Sequence, residues 1–269
     1  MANKGKYYES QFEEATIELL REAHWQYTLG DDIHRKYTDP LIEEDLRNFL
    51  AVQYKDKNLT TSEMDGIVAN LRNTGGQNDY YALRNAFLLY RDGYDFAYSD
   101  SRDNPFRMEY IDFEHPDHNI FRCVNQFVMG QGRENRRPDI LLFINGIPVC
   151  IIELKNPTKQ NATIRDAHTQ ICTRYMRDIP ALLKYCALAV ISDGAKNALG
   201  TTYTPFEFFY EWKKIENEDK AGKGLDTLRT LIRGALSPER LLEILRDYVY
   251  FPDPTKEDDT TEILSLIHI

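Results

Sequence analysis

Residues 137–157 read RPDILLFINGIPVCIIELKNP, and the fold turns on how they pair. Two apolar runs, DILLFI and IPVCII, meet at Asn145-Gly146. That dipeptide is the strongest short-range mark of a β-hairpin, because both positions tolerate positive φ. Neither run alternates with polar residues, so both faces of both strands are buried and the hairpin is central in a sheet covered on two sides. Three polar residues stand against that background: Asp139 and, fourteen residues later, Glu153 with Lys155 close behind. Ionised groups beside Ile151 and Ile152 are costly to bury unless they are paired or hold a cation.

Register decides whether the acids can cooperate. A two-residue turn at Asn145-Gly146 pairs Ile144 with Ile147 and Asp139 with Ile152, leaving Glu153 on the opposite face from Asp139. A three-residue loop, Ile144-Asn145-Gly146, with Gly146 left-handed in a G1 bulge, pairs Phe143 with Ile147 and Asp139 with Ile151. Asp139, Glu153 and Lys155 then project from one face, so the three-residue loop is the expectation. Two carboxylates in that arrangement suit a hard divalent cation such as Mg²⁺, and the ammonium can offset charge on a phosphate.

Outward from the hairpin, residues 8–24 place Phe12, Thr16, Leu19, Leu20 and Ala23 at helical spacing. Helical patterns recur at 40–54, 61–71 and 79–91, with breaks at Gly75-Gly76 and Asp92-Gly93. The period then falls to two around Phe106–Tyr110 and Cys123–Met129, which predicts two strands. His115 and His118, in the HPDHN stretch between them, have loose metal-like spacing but sit without other ligands, and are read as turn residues. Residues 163–178 form a helix with Ile164, Ala167, Ile171 and Tyr175 along one stripe; CALAVIS (186–192) is a buried strand and PFEFFYEW (205–212) a further one. A polar stretch (216–224) precedes two short helices, the second opened by Ser237 and Pro238. The whole predicts an α/β body over 1–215, with a central mixed sheet flanked by helices, and a helical lead-out over 216–269.

The chain has 269 residues, with 33 basic against 43 acidic side chains and a net charge of −10. That is the wrong sign for a protein that coats nucleic acid, so any DNA contact is local. Arg133, Arg136 and Arg137 precede Asp139, and Arg165, Arg174 and Arg177 follow Lys155; these are the candidate phosphate contacts. The longest apolar runs fall well short of the ~20 residues of a membrane span. The N-terminus lacks the apolar stretch of a signal peptide, so a cytoplasmic location off the membrane is expected. Four cysteines without CxxC spacing give neither a disulfide framework nor a zinc site, and there is no G-x-x-x-x-G-K-[ST] phosphate loop.

The pattern PD-x13-ELK resembles the PD-(D/E)xK nuclease superfamily. The wider run VNQF…RRPDILLFINGIPVCIIELKNP, then a helix with Gln170 and Tyr175, then DIPALLKYCALAVISDG, resembles the N-terminal endonuclease domain of the R (motor) subunits of type I restriction-modification enzymes. The likeness runs from about residue 9 to 215 and continues more weakly through LSPERLLEILRDYVYF. It implies a restriction-endonuclease-like fold and Mg²⁺-dependent hydrolysis of phosphodiester bonds in double-stranded DNA. Asp139 and Glu153 would be metal ligands and Lys155 the charge-stabilising, water-positioning residue. A glutamate on the first helix near the metal is also implied; Glu13 matches best, with Glu9 and Glu14 as rivals. The family's glutamine and tyrosine stand four residues apart, whereas Gln170 and Tyr175 are five apart. In a regular α-helix those two would point about 140° away from each other, and Tyr175 also continues the apolar stripe.

By the same resemblance the chain is an N-terminal portion of a larger subunit. ATP would act only through a motor domain outside these residues, and the partners would be modification (methyltransferase) and specificity subunits. The competing readings are a stand-alone PD-(D/E)xK nuclease of repair or recombination, and a non-catalytic docking or DNA-contact module with the same fold.

Overall fold

The computed structural model describes residues 2–100, 103–130, 135–155, 163–215, 222, 224–253 and 266–267. Helix α1 (Ala2–Glu22) leads into strand β1 (Gln26–Leu29). Helices α2 (Glu43–Gln53), α3 (Thr61–Asn73) and α4 (Asp79–Asp92) follow, then a small antiparallel ribbon of β2 (Tyr94–Phe96) and β3 (Phe106–Met108). Strand β4 (Phe121–Asn125) returns to the main sheet, and β5 (Ile140–Ile144) and β6 (Ile147–Leu154) form the hairpin. Beyond it come α5 (Ile164–Thr169), a π-helical turn (Gln170–Tyr175), and the short helices α6 (Met176–Asp178) and α7 (Pro180–Leu183). Strands β7 (Leu188–Ser192) and β8 (Asn197–Thr201) complete the sheet, before α8 (Leu225–Ala235) and α9 (Pro238–Glu243). Side-chain caps fix several helix starts: the Thr60 hydroxyl accepts the Glu63 N–H, and Asn78 accepts that of Tyr81.

The main sheet is mixed, with strand order β1-β4-β5-β6-β7-β8. The β1/β4 and β6/β7 pairs are parallel and the other three antiparallel. Every residue of β5 and β6 is buried. One face, carrying Ile140, Leu142 and Ile152, packs into a core shared with α1–α4, α8 and α9. The other, carrying Leu141, Phe143 and Ile151, packs under α5–α7. Trp25 joins the chain's beginning to α8 by donating its indole N–H to Leu236 O at 2.7 Å, deep in the first core.

The hairpin differs from the three-residue loop expected. Ile144 pairs with Ile147, so the turn is the two residues Asn145 and Gly146, both left-handed at φ 50° and 77°. Pairing then slips: Phe143 opposes Pro148 but Leu142 opposes Cys150, leaving Val149 as one extra residue on β6. Proline has no N–H for the ladder and is tolerated inside sheets chiefly at such irregularities. The bulge is also visible in the packing, since consecutive Val149 and Cys150 both enter the α1–α4 core. Both an added loop residue and a bulge shift the register by one, so the acids still share a face.

Residues 205–212 form no strand. Pro205 opens a 3₁₀ turn over Phe206–Phe208, and the segment's backbone joins the sheet through a single bridge, from Tyr210 to Leu199. The Phe209 ring lies over Gly200 so closely that a Cβ there would come within 2.7 Å of it. The short strands β1 and β8 were not anticipated.

The turn is locked from outside. Asn145, fully buried, donates to Tyr110 O at 3.0 Å and accepts the Ile120 N–H at 2.7 Å. Gly146 O accepts the Ile42 N–H at 2.9 Å, and a Cβ on Gly146 would come within 2.1 Å of Ile42 O. Gly146→Ala therefore meets both a left-handed backbone and a backbone clash. It is expected to cost about 1–3 kcal/mol or more in urea unfolding; an unchanged midpoint would contradict this packing.

Candidate active site

The bulge governs where the polar residues point. Continuing the Ile140↔Ile152 register by one residue sets Asp139 opposite Glu153, on the face under α5–α7 where Leu141 and Ile151 lie. Asp139 Oδ2 accepts the Leu154 N–H at 2.7 Å, tying the start of β5 to the end of β6. Lys155, two residues beyond Glu153, donates to Glu153 Oε1 and to Gln170 Oε1, each at 2.7 Å. Its own N–H bonds Ser192 O at 2.7 Å, which continues the parallel ladder with β7 past Leu154.

Gln170 and Tyr175 do meet, because the helix that carries them is not regular. The stretch Gln170–Tyr175 is π-helical, and an i→i+5 repeat brings residues five apart onto one side. Gln170 Nε2 donates to the Tyr175 hydroxyl at 2.6 Å. Tyr175 is also core, being 3% exposed among Ile171, Ile179 and Leu182. Burial and the nearby Glu153 carboxylate push its phenol well above the ordinary range, so it stays protonated.

Glu153 is the electrostatic centre of the group. It is 1% exposed, and burial followed by repulsion from Asp139 pushes its carboxyl up to about 8, with Lys155 offsetting part of the effect. Oε1 is held by Lys155, while Oε2 is buried with no well-formed hydrogen bond, the Tyr175 hydroxyl being a weak donor near the carboxylate. A buried carboxylate oxygen left short of donors is costly unless a cation faces it. With Asp139 opposite, the donor set is oxygen-only and fits a hard divalent ion.

Glu13 lies at the same sheet end but one step removed. Its Oε1 accepts from Asn125 Nδ2 at 2.7 Å and from Gln126 Nε2 at 3.0 Å. Gln126, left-handed at φ 55°, follows the Asn125↔Ile140 pair and so neighbours Asp139. Among the described residues, the Glu13, Asp139 and Glu153 carboxylates do not gather within 4.8 Å of one another.

Of the arginines, Arg133 lies outside the described residues. Arg136 and Arg177 share Asp178, at 2.7 and 2.6 Å, and their hydrogen bonds bring its carboxyl down to about 2. Arg137 and Arg174 are exposed. Arg174 acts together with Lys155 on Asp166, whose carboxyl is lowered first by hydrogen bonds from Thr163. Arg165 is exposed, pairs with Glu207 at 3.1 Å and stacks over Phe206. A separate charged cavity of about 810 Å³, lined by Asp45, Arg72, Arg122 and Lys184 among others, includes none of the acids above.

A family model described as the type I restriction enzyme R protein N terminus matches residues 6–208. The chain belongs to this family. Among its relatives, the type I restriction enzyme HindI endonuclease subunit of Haemophilus influenzae is 30% identical over 255 residues, covering 90% of this chain and 24% of the relative. A Methanocaldococcus jannaschii protein, named as a candidate type I restriction enzyme MjaIXP endonuclease subunit, is 28% identical over 261 residues, covering 88% of the chain and 25% of its own length. The Escherichia coli type I restriction enzyme EcoprrI endonuclease subunit is 30% identical over 133 residues, 46% of this chain and 40% of the relative. The chain thus spans about a quarter of the length of the first two. Among its described residues no helix is long and apolar enough to cross a membrane.

For this R-subunit N terminus, the raised Glu153 carboxyl has a defined consequence for stability. Between about 4.5, its ordinary value, and about 8 the folded state holds a proton that the unfolded chain has lost. This group's contribution to stability is therefore full below that window and falls as pH rises through it. In EDTA, Glu153→Gln, which mimics the protonated side chain, should gain stability relative to wild type as pH rises from 5 to 9. Parallel melting curves across that range would contradict the electrostatics described.

Proposed function

We propose that this domain is the DNA endonuclease of a type I restriction R subunit, with a PD-(D/E)xK fold, hydrolysing phosphodiester bonds of double-stranded DNA with Mg²⁺. The observation that carries the reading is the Glu153 Oε2 oxygen, buried without a well-formed hydrogen bond on the face of the sheet where Asp139 stands. Asp139 and Glu153 would hold the ion, with Glu13 as a further carboxylate set back behind Asn125 and Gln126. When bound, Mg²⁺ would supply charge neutralisation at the phosphate and a more acidic water.

The chain's own groups do the rest. The Lys155 ammonium, fixed between Glu153 and Gln170, offsets negative charge as it develops on the phosphate and positions the attacking water. Gln170 orients that ammonium, and the Tyr175 hydroxyl fixes the amide of Gln170. Arg136, Arg137 and Arg174, together with Arg133 from the sequence, are the proposed backbone contacts to DNA. With a net charge of −10 their attraction is local, so affinity for DNA would come largely from the rest of the assembly. That assembly is proposed to include modification and specificity subunits in the cytoplasm, with ATP acting through a motor domain outside these residues. Residues 216–269 would be the helical lead toward it.

The test is Asp139→Ala in the full R subunit, assembled with its partners on unmethylated DNA. Cleavage should fall by about a hundredfold or more while ATP hydrolysis persists. Unchanged cutting would reject the assignment and favour a non-catalytic module.

A further inference from the structure

The segment read from sequence as a turn without other ligands has a third metal-capable side chain beside its two histidines. Asp112, three residues before His115, sends Oδ2 to within 3.4 Å of His115 Nδ1 and 2.9 Å of His118 Nδ1. The two imidazoles stack, with centroids 4.8 Å apart and planes inclined by 22°. One ligand atom from each of the three residues lies within 4.8 Å of the others. Asp112 is 4% exposed and rigidly held, whereas the His115 and His118 side chains are 64% and 48% exposed, so the open side of the cluster faces solvent.

Hydrogen bonds within the protein leave one ring nitrogen of this arrangement without an acceptor. Asp112 Oδ1 accepts the N–H groups of Glu114 at 3.0 Å and His115 at 2.9 Å, which fills its two lone pairs. Oδ2 accepts from Gln53 Nε2 at 3.0 Å and takes His118 Nδ1 at 2.9 Å, which fills the other two. The second ring nitrogen, at 3.4 Å, converges on an oxygen with nothing left to offer it. One cation in place of both ring protons would use Oδ2 and both Nδ1 atoms, while Gln53 and the two backbone N–H groups orient the carboxylate from behind, as outer partners do around protein metals. Metal–ligand bonds of about 2.0–2.1 Å in a tetrahedron set ligands roughly 3.3–3.4 Å apart; the His115–Asp112 edge is 3.4 Å and the His118–Asp112 edge, at 2.9 Å, would open slightly.

We infer that Asp112, His115 and His118 form a second metal site, for a borderline transition-metal ion such as Zn²⁺, Co²⁺ or Ni²⁺. Two imidazole nitrogens and one carboxylate suit those ions and not Mg²⁺. The site is remote from Glu153. Asp112 N–H and Asn145 Nδ2 both donate to Asn119 Oδ1, which puts the cluster at the turn end of the hairpin, with Glu153 at the far end of β6, roughly 20 Å along a strand. Its role is structural. It fastens the loop between β3 and β4 to the end of α2 through Gln53, and Glu114 of the same loop pairs with Arg246 just past α9 at 3.2 Å.

Co²⁺ titration of the 269-residue chain carrying no affinity tag, followed by visible absorption and by competition with Zn²⁺, tests this directly. The equivalent held by His115 and His118 should give ligand-field bands that Zn²⁺ displaces, and melting temperature should rise with metal. His115→Asn and His118→Asn should each weaken binding at least about tenfold, with far-ultraviolet circular dichroism unchanged. The ligand-field bands of the nitrogen-containing site should persist in Asp139→Ala, whose lost carboxylate belongs to the other cation site. Asp112→Asn removes groups that hold backbone, so the histidine variants are decisive. Absence of saturable uptake, or wild-type affinity in both histidine variants, would overturn the site.

Discussion

Pro148 has no N–H to give to Phe143, and at the next residue the two central strands fall out of step. The extra residue, Val149, costs the ladder one regular pair and changes the phase of all that follows. Without it, the buried alternation of β6 would send Glu153 and Lys155 into the apolar core shared with α1–α4, away from Asp139. With it, Glu153 and Lys155 lie under α5–α7 on the side of Asp139, and Ile152 and Leu154 keep the opposite core filled. A charged trio at the end of a fully buried hairpin is stable only in that phase.

The helix over the site makes a corresponding adjustment. Between Gln170 and Tyr175 a regular α-helix would rotate one side chain out of reach of the other; the π-helical turn absorbs the additional residue and returns the phenol to the glutamine amide. A strand bulge and a helix bulge, each one residue in size, together align Glu153, Lys155, Gln170 and Tyr175 in one hydrogen-bonded line. Both belong to the class of irregularity that folds retain where side-chain direction matters more than ladder regularity.

Much of this was legible in the residues. Unbroken apolarity around Asn145-Gly146 marked a central hairpin, and the three polar residues in it marked the site. The mechanism of phasing was not legible, because a loop residue and a bulge residue alter parity identically and only Pro148 hinted at which was used. The π turn was hidden for a related reason, since five-residue spacing reads as divergence if the helix is taken as regular. The strands β1 and β8 are too short and too polar or glycine-containing to show a period, and are made by pairing with β4 and β7. The aromatic run 205–212 had strand composition, but Pro205 and the docking of Phe209 on Gly200 turn it into a cap. Asp112 was missed although its spacing to His115 repeats that of His115 to His118.

The central claim is that Glu153, only partly neutralised by Lys155, is relieved by a cation shared with Asp139. Anomalous diffraction from crystals of the chain grown with Mn²⁺ at a pH above 8 addresses that most directly, since Mn²⁺ accepts the same oxygen ligands as Mg²⁺ and the carboxyl is then ionised. The account predicts a peak bonded to Glu153 Oε2 and an Asp139 oxygen, beside the Lys155 ammonium. A structure with Mn²⁺ bound elsewhere, and Glu153 Oε2 still facing no ion, would contradict it.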